Sequence, residues 1–225
     1  MALVDVANND HPLSQSFYVR NSNNMKLKDQ YVIKPIPYKT AMELVIKHHY
    51  LHRKAQASYC FGLFSKDTDE LVGCITYGLP ASPNVCRGIC GEEYFNDVIE
   101  LTRLWIDDSV GKNAESFLIG NTLKLVDKNI IVSYAEPDHG HVGVVYQATN
   151  WIYTGLTAKR TNRVAIDGST YKHNRHECMN KVDTILVPRP RKHRYVYFNC
   201  NKRMKKALKN KLRYKILPYP KKSTQ

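Results

Sequence analysis

The chain has 225 residues, of which 43% are hydrophobic, enough to bury a core and to exclude global disorder. It carries 34 Lys and Arg against 20 Asp and Glu, a formal net charge of +14. No run approaches about 18 consecutive apolar residues, which excludes a membrane-spanning helix, and the first residues lack the pattern of a secretory signal.

The first third of the chain predicts an arm, a strand, a helix and a hairpin. Residues 1–30 are polar and Asn-rich, and we expect a loosely ordered arm there. A strand at Tyr31–Pro35 precedes a helix that ends near His49, with Thr40 and Glu43 at capping-box spacing. The next elements are a β-hairpin, Tyr59–Phe64 with Leu71–Tyr77, and a Gly/Pro-rich loop at residues 78–93.

The middle of the chain alternates strands and helices. In the strand Val98–Ile106, strict alternation places Glu100, Thr102 and Leu104 on one face and Leu101, Arg103 and Trp105 on the other. After a turn at residues 107–113, we expect a βαβαβ unit completed by a helix at Ala114–Val126, a strand at Ile130–Ala135, a helix at Val142–Asn150 and a strand at Trp151–Leu156.

The positive charge is concentrated at the C-terminal end. Residues 158–225 carry 20 Lys and Arg and 3 Asp and Glu, whereas residues 1–157 carry 14 and 17. This segment also predicts a strand at Arg194–Phe198 and a helix at Asn201–Leu212. Because aromatic residues are interleaved with the charge, the pattern favours a polyanion partner over the alternative, a solvated basic tail.

The order of these elements resembles the GCN5-related N-acyltransferase fold, an α/β fold with a mixed sheet flanked by helices. In that fold two central parallel strands splay apart, and the gap admits an acyl donor. We therefore predict an acyltransferase-like core at residues 31–157, after the arm at residues 1–30, and a basic segment at residues 158–225 that completes the domain and contacts DNA.

Several motifs, in this order, resemble the Mom DNA-modification proteins of bacteriophages. They are KHHYLHRK (47–54), TYGLP (76–80), ELTRLW (100–105), KNAES (112–116), SYAEPDHGHVGVVYQATN (133–150) and KHRYVYF (192–198). The resemblance implies an enzyme that converts adenine in double-stranded DNA to N6-carbamoylmethyladenine, which protects phage DNA from host restriction. It also implies that the enzyme acts in the cytoplasm of an infected bacterium.

The resemblance assigns candidate catalytic residues at four positions. Glu136 stands where we expect aspartate, and it is the candidate base, since desolvation at the end of an apolar strand would raise its pKa. Arg103 could hold an anionic group or developing charge, Tyr146 could protonate a leaving group, and Tyr50 could stack on an extruded adenine. The alternatives are structural: core packing for Tyr146, an ion pair for Arg103, a turn carboxylate for Glu136 and packing for Tyr50.

The donor site is predicted at the turn that precedes the helix at Ala114. Lys112, Asn113 and Ser116 are the candidate donor-binding residues, of which Ser116 comes from the resemblance. The turn matches the coenzyme A signature poorly, because Gly111 is its one glycine. Acetyl-CoA and a glycine-derived donor such as glycyl-tRNA both remain open.

The metal-binding signals are weak. Cys86 and Cys90 form a C-x3-C pair without a second pair at zinc-site spacing, and reduced thiols are expected. A cluster made of His48, His49 and His52 with His139 and His141 could hold a metal, and the family resemblance suggests iron. A solvated or DNA-facing histidine cluster is favoured, and no metal ligands are predicted.

Basic residues near the site and in the C-terminal segment are the candidate phosphate contacts. They are Arg53, Lys54, Lys172, Arg175, Arg189, Arg191, Lys192, Arg194, Lys202, Arg203, Lys205 and Lys206. Two other functions stay open at this point. One is an N-acetyltransferase that acts on protein, RNA or a small amine, and the other is a DNA-binding phage protein without enzymatic activity.

Overall fold

The chain folds into a mixed sheet with helices on both faces. The structure, a computed structural model, describes residues 26–137, 140–166 and 184–221. Within these ranges the strands are β1 Tyr31–Pro35, β2 Tyr59–Ser65, β3 Leu71–Gly78, β4 Val98–Ile106, β5 Ile130–Ala135, β6 Ile152–Leu156, β7 Arg160–Ala165, β8 Thr184–Arg189 and β9 His193–Phe198. The α-helices are α1 Leu27–Gln30, α2 Tyr38–His48, α3 Pro83–Cys90, α4 Ala114–Thr122, α5 Val144–Ala148 and α6 Lys202–Lys211.

The strands form a seven-stranded sheet and a separate two-stranded ribbon. The order in the large sheet is β1-β2-β3-β4-β5-β9-β6, and β7 pairs with β8 alone. The predicted hairpin is confirmed, since β2 and β3 pair antiparallel from Tyr59 opposite Tyr77. β4 and β5 are parallel, whereas β9 runs antiparallel to both of its neighbours.

Alternation along the strands separates two layers of core. On β5, Ile131 packs into the cluster that contains Leu118 of α4 and Tyr146 of α5. Its neighbour Ile130 packs into the cluster that contains α3 residues and Leu208 of α6. Since successive side chains of a strand point to opposite faces, α4 and α5 cover one face and α3 and α6 cover the other. α2 lies on the second face, where it packs through a smaller cluster around Val45.

The predicted loop at residues 78–93 is wrong in its centre. Pro83 begins the helix α3, and a 3-10 segment follows at Glu92–Asp97. Cys86, Ile89 and Cys90 are all buried and lie at helical i, i+3 and i+4 spacing. Pro83 suits the first helical position, and burial of these three side chains against the sheet offsets the cost of Gly88 inside the helix.

Smaller corrections concern the ends of helices and the position of β6. α2 begins after Pro37, so Thr40 lies inside the helix and makes no capping box with Glu43. The predicted arm lies outside the described residues up to residue 25, and Leu27–Gln30 forms a helical turn. β6 does not neighbour β5 as in a simple βαβαβ unit, because β9 lies between them.

A bulge in β4 changes which side chains share a face. Thr76 lies opposite Arg103 and Tyr77 opposite Leu101, so Thr102 is an extra residue. The predicted alternation of β4 side chains between the two faces of the sheet is therefore wrong after Leu101. Leu101 and Leu104 both pack into the α4-side cluster, whereas Arg103 follows Glu100 on the opposite face.

The described helices include none that is both long enough and apolar enough to cross a bilayer.

We expect Gly78→Ala to destabilise the fold strongly. A methyl group at Gly78 would overlap the backbone carbonyl of Gln56, which has no side-chain freedom to move away. The free energy of unfolding should fall by about 2 kcal/mol or more, measured by urea denaturation. The matched control is Gly120→Ala in α4, where an added methyl meets nothing within 4 Å and should raise stability by about 0.5–1 kcal/mol. Equal effects of the two substitutions would contradict this packing.

Candidate active site

The site lies where the two parallel central strands separate. β4 and β5 pair only from Val98 with Ile130 to Glu100 with Val132, and no further pairing joins them along the rest of their length. A cavity of about 540 Å³ opens at this point. The predicted separation of the central strands is thus present.

The cavity passes through the sheet rather than lying on one side. Leu101 and Tyr146, from the α4 side, line it together with Glu100 and Arg103 from the opposite face. An opening with walls from both faces can receive one reactant from each side. The bulge at Thr102 contributes to this arrangement, because it turns Arg103 to the same face as Glu100.

All four predicted catalytic residues line this one cavity. Tyr50 follows α2, Arg103 lies at the bulge of β4, Glu136 follows β5 and Tyr146 is in α5. They come from four separate elements, so the fold brings together residues that are almost 100 positions apart in sequence.

Tyr146 is both a core residue and a cavity residue. Its ring lies 5.1 Å from Trp151 and 5.2 Å from Tyr195 between ring centroids. The Ser133 hydroxyl lies 2.8 Å from the Tyr146 hydroxyl and 3.0 Å from the Leu101 carbonyl oxygen. The Ser133 hydroxyl is the donor to both oxygens, so the Tyr146 hydroxyl accepts from Ser133 and keeps its own proton for another acceptor. Burial raises the pKa of Tyr146 to about 12, so this phenol keeps its proton at neutral pH.

Arg103 lines the cavity and carries a buried hydrogen-bond donor that has no acceptor in the described part of the chain. Its Nη1 donates to the Thr102 carbonyl oxygen at 2.6 Å, but its buried Nε has no acceptor among the described residues. Burial lowers the Arg103 pKa, and the nearby Arg53 lowers it further. Buried donors in native proteins are normally paired, so the unsatisfied Nε marks Arg103 as a candidate functional residue.

Glu136 forms an ion pair with Lys192, and both side chains are largely buried. Lys192 immediately precedes β9, and its backbone N–H donates to the Thr157 hydroxyl at 3.0 Å. Lys192 was predicted as a phosphate contact, but the structure places its ammonium against the candidate base. The ion pair holds the Glu136 carboxylate at the edge of the cavity.

Glu100 is a cavity residue that sequence reasoning considered only as an ion-pair partner. Burial raises its pKa to about 7, against smaller opposing effects of Lys192, Arg103 and the Ala81 amide. A signal was present in the sequence, since Glu100 interrupts the otherwise apolar start of the run VIELTRLWI. A carboxyl group that titrates near neutral pH beside an arginine is typical of a functional site.

His49 also lines the cavity, and it is neutral. Burial lowers its pKa to about 4, with Arg103 acting in the same direction. Its Nδ1 accepts a hydrogen bond from the Leu51 N–H at 3.1 Å, and its ring stacks on Tyr50 at 4.3 Å between centroids. His49 therefore fixes the orientation of the half-exposed Tyr50 ring.

The described histidines do not assemble a metal site. Among residues 26–137, 140–166 and 184–221, no group of three His, Cys, Asp or Glu side chains is placed to hold a metal ion. His48 stacks on Trp105 at 4.3 Å between centroids, whereas His141 lies 5.6 Å from Tyr50. Asp138 and His139 fall outside the described residues.

The predicted donor-binding turn fits a coenzyme A pyrophosphate poorly. Asn113 precedes α4 in the left-handed conformation, with φ of 67°, and makes no side-chain cap. Lys112, Asn113 and Ser116 are absent from the lining of the large cavity, which instead includes Glu115 from the first turn of α4. A carboxylate beside the helix start repels the phosphate that such a turn would have to bind.

The predicted phosphate contacts divide into internal and accessible residues. Arg191 donates to the Thr157 carbonyl oxygen at 2.6 Å. Arg194 donates to the Thr154 hydroxyl at 2.8 Å and lies 3.3 Å from the centre of the Tyr214 ring. These two arginines are engaged in internal contacts.

The remaining described candidates are accessible except for Lys192, which is held in its ion pair with Glu136. Lys54 is exposed, and Lys202, Arg203, Lys205 and Lys206 lie on α6. Arg53, Arg189 and Lys192 line a second, small cavity of about 220 Å³ together with Asn162. The two cavities share Leu51, Glu136 and Lys192. Lys172 and Arg175 lie outside the described residues.

Comparison with known proteins identifies the family. A sequence model of the Mom protein family matches residues 30–221. The chain belongs to the Mom protein family. A curated Mom relative, the "Methylcarbamoylase mom" of Escherichia phage Mu, is 31% identical over 202 residues, which cover 80% of each chain. The family resemblance predicted from the sequence motifs is thereby confirmed.

Solved structures with similar folds are acetyltransferases. The ribosomal-protein-S5-alanine acetyltransferase of Vibrio fischeri is 12% identical, with a TM-score of 0.46 over 76% of this chain and 94% of that one. Arabidopsis thaliana NAA60 in complex with acetyl-CoA is 9% identical, with a TM-score of 0.46 over 75% and 98%. The mixed sheet flanked by helices, which the sequence predicts for this Mom family member, is confirmed by the strand order and the helix layers.

Replacement of Glu100 by Gln should remove a pH dependence of stability. The folded protein binds a proton at Glu100 with a pKa of about 7, whereas the ordinary value is 4.5. Between these values the folded state holds more protons, so the free energy of unfolding falls as the pH rises, by up to about 3 kcal/mol. Urea denaturation at pH 5 and pH 8 measures this fall.

In Glu100→Gln the fall should be much smaller than in the wild type. The exposed Glu43→Gln in α2 is the matched control and should keep the wild-type difference between the two pH values. Equal pH dependence in Glu100→Gln and the wild type would show that this carboxyl does not titrate near neutral pH.

Proposed function

We propose that the protein is a phage DNA-modification enzyme that converts adenine in double-stranded DNA to N6-carbamoylmethyladenine and so protects phage DNA from host restriction. Membership of the Mom family supports this function. The observation that carries it is the single cavity that crosses the sheet and is lined by Tyr50, Arg103, Glu136 and Tyr146.

The cavity suits a base that has left the duplex. A volume of about 540 Å³ lies in the range of sites that enclose a molecule the size of a nucleoside. Tyr50 is 40% exposed and its ring stacks on His49, so a held aromatic ring lines the cavity where an extruded base would lie. Extrusion gives access to an exocyclic nitrogen that the stacked duplex would shield.

The two carboxyl groups supply acid–base chemistry. The N6 amine of adenine is a poor nucleophile, because its lone pair is delocalised into the ring, and it needs a proton acceptor nearby. Glu136 has this role in our proposal, held in position by Lys192 at the edge shared by the two cavities. Glu100 lies on the other wall, and its pKa of about 7 lets it exchange a proton at neutral pH.

Arg103 and Tyr146 come from opposite faces of the sheet and line the cavity in which an acyl or aminoacyl donor would react. Transfer of a glycyl group to N6 forms an N6–C(=O) bond and releases the donor's leaving group. A rearrangement that exchanges the two ends of the glycyl unit must follow, because the carbamoylmethyl product has an N6–CH2 bond. The Arg103 guanidinium lines the cavity and can donate to a carbonyl oxygen as negative charge develops on it. The Tyr146 phenol remains protonated at neutral pH and can donate to a leaving group. The cavity thus offers two fixed hydrogen-bond donors and two carboxyl groups around one space.

The basic segment at residues 158–225 has two roles in this proposal. Its β9 strand completes the catalytic sheet, since it lies between β5 and β6. Its accessible basic side chains contact DNA, including Arg189 beside the small cavity and Lys202 and Arg203 on α6. Counterion release from the bound phosphates would then contribute to the affinity.

Mass spectrometry of nucleosides tests the function directly. DNA from cells that express the wild-type protein should contain an adenine adduct with the mass of a carbamoylmethyl group. Glu136→Gln and Tyr146→Phe should each lower adduct formation by at least about tenfold, because they remove a proton acceptor and a proton donor. Soluble expression and thermal melting of each variant show that it is folded.

The matched controls are Glu93→Gln and Tyr94→Phe, which lie on the 3-10 segment Glu92–Asp97, outside the lining of both cavities. They should leave the adduct level unchanged. Unmodified adenine in cells that contain folded wild-type protein would overturn the proposal. Acetylated protein or polyamine in the same cells would indicate an N-acetyltransferase instead.

A further inference from the structure

The ribbon formed by β7 and β8 projects from the main sheet. The two strands pair with each other from Arg160 opposite Arg189 to Ala165 opposite Thr184, and with no other described strand. Most of their side chains are exposed, including the apolar Ile185 at 53% and Leu186 at 62%. A ribbon that leaves such residues uncovered is typical of a surface that binds a partner.

The ribbon carries opposed positive charges, which destabilise the pairing of its two strands in the free protein. Arg160 and Arg189 lie directly opposite each other at its base, and Arg163 adds a third charge. Residues 160–166 and 184–189 include no Asp or Glu. Like charges on directly opposed residues destabilise a strand pair. A bound anion would reverse this cost, so the pair points to a polyanionic partner.

One face of the ribbon turns towards the active site. Arg160 and Asn162 on β7 share a face with Val187 and Arg189 on β8, since opposed residues and alternate residues lie on the same side. Asn162 and Arg189 line the small cavity, which meets the large cavity at Glu136 and Lys192. This face is therefore continuous with the entrance to the proposed catalytic site.

We infer that this face of the ribbon enters the major groove of duplex DNA next to the target adenine. The inference rests on the proposed function, and it adds the ribbon β7-β8 as the element that binds the duplex and recognises its bases. The major groove of B-DNA is about 12 Å wide and admits a two-stranded ribbon. Arg160 and Arg189 contact phosphates, whereas Asn162 and the apolar Val187 face base edges and thymine methyl groups.

Two features favour duplex DNA over other partners. Arg160 and Arg189 on this face, with no acidic residue among residues 160–166 and 184–189, complement a phosphate backbone better than a protein surface of mixed charge. The major groove of A-form RNA is too deep and narrow for side chains to read. The N6 group of adenine also lies on the major-groove edge, the side on which the ribbon would place the enzyme.

The salt dependence of duplex binding tests the inference with the full-length protein. Arg160→Gln/Arg189→Gln should lower the slope of log affinity against log salt by about 2, since two phosphate contacts are lost. Its melting temperature should be unchanged or higher, because the like-charge pair is removed. The control Lys124→Gln/Lys128→Gln removes the same charge just before β5, at the end of that strand away from the cavity, and should bind as the wild type does.

A second variant distinguishes base recognition from phosphate binding. Asn162→Ala should leave the salt slope unchanged but reduce the preference among duplexes that differ in the base pairs flanking adenine. A wild-type slope in the arginine double variant would overturn the inference and leave the proposed function intact. Equal binding of duplex RNA and duplex DNA, or a change in oligomeric state without a change in DNA binding, would also overturn it. If the wild type forms no adenine adduct and its binding is insensitive to salt, the proposed function fails together with the inference.

Discussion

The separation of β4 from β5 is the constraint on which the site depends. Paired parallel strands would close the sheet and leave no passage between its faces. The pairing ends at Glu100 and Val132 because β4 continues alongside β3, while β5 continues alongside β9. Each strand thus keeps its backbone hydrogen bonds on its outer side, and the inner edges line a cavity. The bulge at Thr102 lies at the same level and turns Arg103 towards the opening.

The charges in the cavity are balanced in pairs rather than neutralised by solvent. Glu136 lies against Lys192, and Glu100 lies close enough to Arg103 and Lys192 for both to lower its pKa against the effect of burial. A buried charge without such compensation would be costly. Among the described residues, the arrangement leaves one carboxyl group that titrates near pH 7 and one guanidinium nitrogen without an acceptor. Both are groups whose protonation or pairing a substrate can change.

Local sequence patterns predicted most strands and helices, whereas the geometry of the site depends on pairing between strands that are distant in sequence. Tyr31–Pro35, the hairpin and the apolar strand Ile130–Ala135 were predictable, because alternation and turn chemistry are local. The helix α3 was missed because its stability comes from burial against the sheet. The bulge in β4 depends on register with β3, which one strand's sequence does not contain. The importance of Glu100 was missed for the same reason, since its burial follows from its neighbours in space.

The insertion of β9 between β5 and β6 brings the basic segment into contact with residues of the candidate active site. Tyr195 on β9 donates a hydrogen bond to the Val142 carbonyl oxygen, and its ring packs against Tyr146. A methyl group at Gly143, where φ is 81°, would meet the Tyr195 ring, so the turn before α5 is shaped by this contact. Lys192, from the same segment, holds Glu136. Two proposed catalytic residues, Glu136 and Tyr146, therefore contact the segment that follows the ribbon β7-β8, so the position of β9 sets the geometry of both.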